Sequence, residues 1–164
     1  MNQNWPVAQL DPLRRLRVMA AALPATTLAE IVVPAPLDQA WATAADLETS
    51  MPLMISDFRS VHITETETGR LQMTARGKLG QRARFDVELR PGWCWMQSRL
   101  WVGGLAAVHQ PGEPASTRIG FLGGLRIPGA RFLTSALHPT AQRAAHQALT
   151  RLAEQIEHNR TPEP

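Results

Sequence analysis

The chain has 164 residues and a mass of 18.1 kDa, the size of one domain with one core. With 44% apolar and 19% charged residues, wholesale disorder and coiled-coil composition are excluded, and no stretch reaches the roughly 18 apolar residues of a membrane-spanning helix. All but one of the seventeen basic residues are arginine and tyrosine is absent, so the pI near 10.4 reflects missing buffering groups more than a basic surface and points only weakly to nucleic acid.

Residues 1–9 carry no periodicity. Asp11-Pro12 then reads as a helix cap followed by the first helical residue, and Leu13, Leu16, Ala20 and Leu23 recur at helical spacing until Pro24. Arg14, Arg15 and Arg17 ahead of the apolar run 18–23 also fit a secretory leader. That run is short and begins late, and the lone Cys94 gives no sign of an oxidising destination, so the segment is read as an amphipathic helix of a cytoplasmic protein. Residues 26–33 form a strand ended by Pro34-Ala35-Pro36. A helix follows over 37–47, with Leu37, Ala40, Trp41 and Ala44 on one side, and a second short helical piece begins at Met51. From Asp57 the period changes to two, over 58–67, 70–78, 82–90, 93–101, 105–111 and 115–123. Pro128-Gly129 opens a helix reaching about residue 157, with Ala141, Ala145, Leu149, Leu152 and Ile156 as its apolar stripe and a break or kink expected near His138 because of Pro139. The pattern is α+β: an antiparallel sheet of about seven strands covering one long C-terminal helix, with two short helices after strand 1 and an extra N-terminal helix.

Cross-strand bookkeeping suggests a register. A loop at Leu79-Gly80-Gln81 pairs Ala75 with Phe85, Met73 with Val87 and Arg76 with Arg84. A turn at Pro91-Gly92 sets Leu89 beside Cys94 and Val87 beside Met96. A turn at Trp101–Gly104 brings Met96 near His109 and Ser98 near Ala107, and the next hairpin brings His109 near Thr117 and Ala107 near Ile119. The inward face so built is apolar with three convergent polar groups, Ser98, His109 and Thr117. The small residues Ala75, Ala83, Ala107, Ala141 and Ala145 leave space for a cavity.

Residues 29–52, AEIVVPAPLDQAWATAADLETSMP, with the strand ending at Ala35-Pro36, the helix around Trp41 and the Asp46-Leu47-Glu48…Pro52 segment, resemble the opening of the START-like (SRPBCC) superfamily. The phrase Gly112…Ser116-Thr117-Arg118-Ile119 and the long last helix are similar to it too. The resemblance covers residues 26–157 and implies a helix-grip fold, in which a curved sheet wraps the C-terminal helix around a hydrophobic cavity that holds lipids, polyketides or similar molecules. It places an N-terminal extension at 1–25, the ligand-binding domain at 26–158 and a flexible tail at 159–164.

The expected ligand-binding residues are Met73, Phe85, Val87, Met96, Ser98 and His109 on the middle strands, Thr117, Ile119 and Phe121 on the last strand, and Leu137, Ala141 and Ala145 on the helix. The expected partner is a small hydrophobic or aromatic ligand. The alternative is a polyketide cyclase or dehydratase in which His109 shuttles protons, since an imidazole titrates near neutrality; the bland reading makes His109 a hydrogen-bonded interior residue. His62, His138, His146 and His158 show no ligand spacing, so no metal and no cofactor is expected. Cys94 reads as a core filler, and Ser98 lacks the Gly-x-Ser-x-Gly setting of a hydrolase nucleophile. The outer face gathers Arg76, Lys78, Arg82, Arg84, Arg90 and Arg99 with Trp93, Trp95 and Trp101. Such a face serves RNA, a protein partner or a homodimer, with a solvated surface as the default and nucleic acid disfavoured.

Overall fold

The computed structural model describes residues 10–126 and 131–161, with the backbone alone for 131–137. Helix α1 (Pro12–Ala22) begins where Asp11 accepts the Arg14 amide at 2.9 Å, with proline at the first turn where no N–H is needed. Strand β1 (Thr26–Val33) leads into α2 (Leu37–Ala45) and α3 (Leu47–Met54). A meander follows: β2 (Phe58–Glu65), β3 (Leu71–Gly77), β4 (Arg82–Arg90), β5 (Trp93–Gln97), β6 (Trp101–Gln110) and β7 (Glu113–Leu125). Helix α4 (Arg131–Arg160) closes the chain. It runs through Pro139 as one helix, so of the break or kink expected near His138 the break does not occur; the ring removes a single i→i−4 bond from thirty residues of helix.

The seven strands form one antiparallel sheet in the order β1-β7-β6-β5-β4-β3-β2. This curved sheet, gripping the C-terminal helix, is the helix-grip fold. The concave side buries Leu149, Leu152 and Ile156 of α4 with Ala40, Ala44, Met51 and Met54 of α2 and α3, against Ala29, Val33, Leu105, Ala107 and Ile119 of the strands. A second core lies on the convex side. There Leu13 and Leu16 of α1 bury Trp93, Val102, Ala106 and Leu122.

Parity was legible from the sequence, and register only in part. Leu89↔Cys94, Val87↔Met96, His109↔Thr117 and Ala107↔Ile119 pair as expected. The β3–β4 hairpin is shifted by two residues: Ala75 pairs with Ala83, Met73 with Phe85 and Arg76 with Arg82. Its turn is Lys78-Leu79-Gly80, because Gly80 takes the left-handed position (φ +85°) and donates to the Gly77 carbonyl. A slip of two keeps every side chain on its own face, so alternation cannot detect it. The β5–β6 hairpin is shifted by six, with Met96 opposite Gly103. Gly103-Gly104 is not a turn but lies inside β6. A Cβ at Gly104 would stand 2.7 Å from Leu16 Cδ1 and 3.0 Å from the Trp95 ring, so glycine is required by the docking of α1. The turn itself is Ser98–Leu100.

Candidate functional site

A cavity of about 450 Å³ lies between the sheet and α4, within the size range of small-molecule sites. Four of the chain's six methionines (Met51, Met54, Met73 and Met96) face it, as do Phe58, Phe85, Phe121 and Trp101. Phe58 and Phe85 meet edge to face, with ring centroids 6.4 Å apart. The space exists because facing positions are small: Ala75, Ala83, Gly103 and Gly123 on the strands and Ala141, Ala144, Ala145 and Ala148 on α4. Flexible thioethers beside rigid rings make a wall that can repack around ligands of different outline.

Polar groups are few. Thr27 is buried on β1 in the wall, and among the described residues its hydroxyl makes no hydrogen bond. Ser56, Asp57, Gln81, Gln147 and Arg151 stand around the rim, and Arg151 donates one N–H to the Met54 carbonyl at 3.4 Å. Among the described residues the ionisable groups of the wall are therefore one carboxylate and one guanidinium.

The expected ligand-binding set divides. Met73, Phe85, Met96, Phe121, Ala141 and Ala145 do line the cavity. Val87 and Ile119 face the same side but are packed into the solid part of the core. Thr117 is fully buried and donates to the Ala35 carbonyl at 2.7 Å, so its hydroxyl pins the Ala35-Pro36 bend to β7 and is not free for a ligand. Ser98 closes the β5–β6 turn, accepting the Trp101 amide at 3.0 Å. His109 is exposed at the far end of β6 and does not border the cavity. The six-residue error in the β5–β6 register had carried it roughly 20 Å along the sheet. The side chain of Leu137 lies outside the described residues.

Met51, Met54, Phe58, Thr27, Trp101 and Arg151 were missed. The apolar run from Met51 through Ile55 to Phe58 was the available signal: it straddles a helix end and a strand start, where no single period applies. Trp101 was assigned to the outer face as the end of the fifth strand, but it opens β6 after the Ser98–Leu100 turn and shares the concave side with Gly103 and Leu105. Trp93 and Trp95 do point outward. They stack with centroids 6.1 Å apart and planes 5° apart, and α1 covers them with the Arg15 guanidinium 4.2 Å from the Trp93 ring. They present no open stacking platform. Cys94 is buried in the core, and its thiol is pushed up to about 12 by burial, with Glu88 adding to the effect, so it is no nucleophile. Among the described residues no three His, Cys, Asp or Glu side chains cluster as metal ligands, and no helix is long and apolar enough to cross a membrane.

No protein-family model matches the sequence, and no curated protein matches it. Solved structures share its fold. The protein TTHA0849 from Thermus thermophilus is 20% identical, with a TM-score of 0.59 over 83% of this chain and 99% of its own. The Zhui aromatase/cyclase from Streptomyces sp. R1128 is 15% identical, with a TM-score of 0.60 over 84% and 96%. A norcoclaurine synthase from Thalictrum flavum, a point mutant bound to a transition-state analogue, is 12% identical, with a TM-score of 0.57 over 83% and 96%. The chain thus has the START-like, SRPBCC-type fold.

Proposed function

We propose that this protein binds one small hydrophobic or aromatic molecule in the cavity between its sheet and α4. The observation that carries the reading is the cavity of about 450 Å³, walled by four methionines and four aromatic rings inside an otherwise packed core. Close packing is the rule in protein interiors, and this hollow is kept open by alanine and glycine on both of its sides. Removing apolar ligand surface from water contributes about 2.5 kcal/mol per 100 Å². That burial has to offset the lost freedom of the ligand, at least about 4 kcal/mol, so the apolar wall supplies affinity while Thr27, Asp57 and Arg151 set orientation. The fold shared with an aromatase/cyclase makes a cyclase the second reading. In this chain its proton-transfer group would be Asp57, because His109 does not reach the cavity.

Native mass spectrometry of the purified protein, with Nile red uptake alongside, tests this. Saturable uptake at one site is expected, and Ala145→Phe, which projects a ring from α4 into the hollow, should abolish it while leaving the circular dichroism spectrum intact. A wild-type protein that takes up no dye, or a variant that binds it as before, would refute the reading.

A further inference from the structure

The exposed members of the cavity wall, among them Asp57, Gln81 and Trp101, place its rim at one end of the sheet. Two hairpin tips stand at the same end, about 10 Å apart across the strands by strand spacing, with the β3–β4 tip reaching roughly four residues further along because Asp86 of β4 already pairs with Gln97 at the end of β5. The β3–β4 tip is Lys78-Leu79-Gly80, and its Leu79 side chain is 94% exposed. The β5–β6 tip carries Leu100 and, just beyond, Trp101, each 49% exposed. Half of the large apolar side chains found exposed among the described residues are therefore at this end, Leu79 and Leu100 on turns that no packing requirement forces to be apolar and Trp101 at the start of β6.

The tips are flanked by cations. Arg76 and Arg82 face each other directly across β3 and β4, an arrangement that repels in an isolated sheet. Lys78 and Arg99 sit in the turns, and Arg126 is tied to the β5–β6 tip by its amide, which donates to the Leu100 carbonyl at 2.8 Å. All five are exposed, and among the described residues none lies within 4.0 Å of a carboxylate. Asp57 is the acidic side chain on the same rim.

We propose that this rim docks on the surface of an anionic lipid bilayer, with Leu79, Leu100 and Trp101 entering the headgroup boundary and the five cations meeting lipid phosphates and carboxylates. Protruding leucines between basic residues, with an indole at the level of the headgroups, match an interface that is apolar below and anionic above. RNA would satisfy the cations but leave Leu79 and Leu100 nothing to bury against, and the stacked tryptophans are already sealed under α1. Because the tips border the cavity mouth, a docked molecule would open its hollow toward the lipid, from which an apolar ligand could enter without crossing water.

Flotation of the full chain with vesicles of equimolar phosphatidylserine and phosphatidylcholine, and with phosphatidylcholine alone, tests the proposal. Retention is expected on the anionic vesicles only, and salt at about 1 M should release it. Each cation near such a surface contributes roughly fivefold, so Lys78→Glu with Arg99→Glu should weaken retention more than tenfold, and Leu79→Asp with Leu100→Asp should do likewise. None of these four residues lines the cavity, so Nile red uptake should be unchanged. No retention on anionic vesicles, equal retention on both kinds, or undiminished retention of either double variant would overturn the docking surface. Failure of dye uptake in the wild type would instead overturn the cavity reading and leave the surface standing.

Discussion

The two faces of this sheet use small residues to opposite ends. On the convex face, Gly104 and Gly120 let α1 approach until its leucines touch the strands: a Cβ at Gly120 would stand 2.6 Å from Leu13 Cδ1 and 3.1 Å from Leu16 Cδ2. On the concave face, Ala75, Ala83, Gly103 and Gly123 sit opposite the alanines of α4, and the space between is left empty. A missing side chain is filled by a neighbour where the neighbour is a short helix free to settle close. It becomes a cavity where the neighbour is a long helix already held by Leu149, Leu152 and Ile156 and by α2 and α3. The difference lies in what anchors the partner helix, not in the sheet residues themselves.

Truncation of the tight side should have the largest effect. Leu16 is fully buried between α1 and the tryptophans, and Leu16→Ala should cost about 2–5 kcal/mol, a fall in melting temperature on the order of 10 °C for a chain of this length. A melt within a degree or two of wild type would show that α1 is not part of the cooperative unit.

Enlarging small residues should separate the faces by sign. Gly120→Val drives a branched side chain into Leu13 and should destabilise by about 1–3 kcal/mol. Ala83→Leu places a larger group in the hollow, so it should leave the melting temperature unchanged or raise it while reducing Nile red uptake. If both variants were destabilised alike, the concave space would not be a true void.

The same contrast explains what the sequence disclosed. The stripe Leu13, Leu16, Ala20, Leu23 announced an amphipathic helix, and all four residues do pack on the convex face; nothing in the stripe said which surface it would cover. Alternation located the six strands after Asp57 and put Trp93 and Trp95 on the outer side, because period two is a local property. Depth along the sheet is not local. It depended on whether Gly103-Gly104 was a turn or a seat for Leu16, and that was decided by a helix far earlier in the chain. The cavity's apolar half (Met73, Phe85, Met96, Phe121) was legible for the reason the strands were. Its polar rim was not, since Arg151 and Asp57 come together only through the docking of α4 beside the α3–β2 connection.

The smallest effect concerns how α1 is tethered, and its pH dependence gives it a distinctive signature. Arg17 donates two N–H groups to Glu30 at 2.7 and 2.8 Å, and Arg118 approaches the same carboxylate at 3.4 Å. The hydrogen bond from Arg17, more than any other influence, holds Glu30 below its ordinary value of 4.5 against the opposing pull of burial. A carboxyl lowered on folding stabilises the folded state above its unfolded value, and that contribution disappears as the pH falls through the lowered folded value. Half of the Arg17 side chain is in water, so Glu30→Gln should lose at most about 1 kcal/mol near neutrality. Urea unfolding followed by the near-ultraviolet signal of the Trp93–Trp95 stack should show the gap between wild type and variant narrowing below pH 4.5 and closing once Glu30 is protonated. A gap of constant size down to about pH 2 would mean that shape, not charge, joins α1 to the sheet.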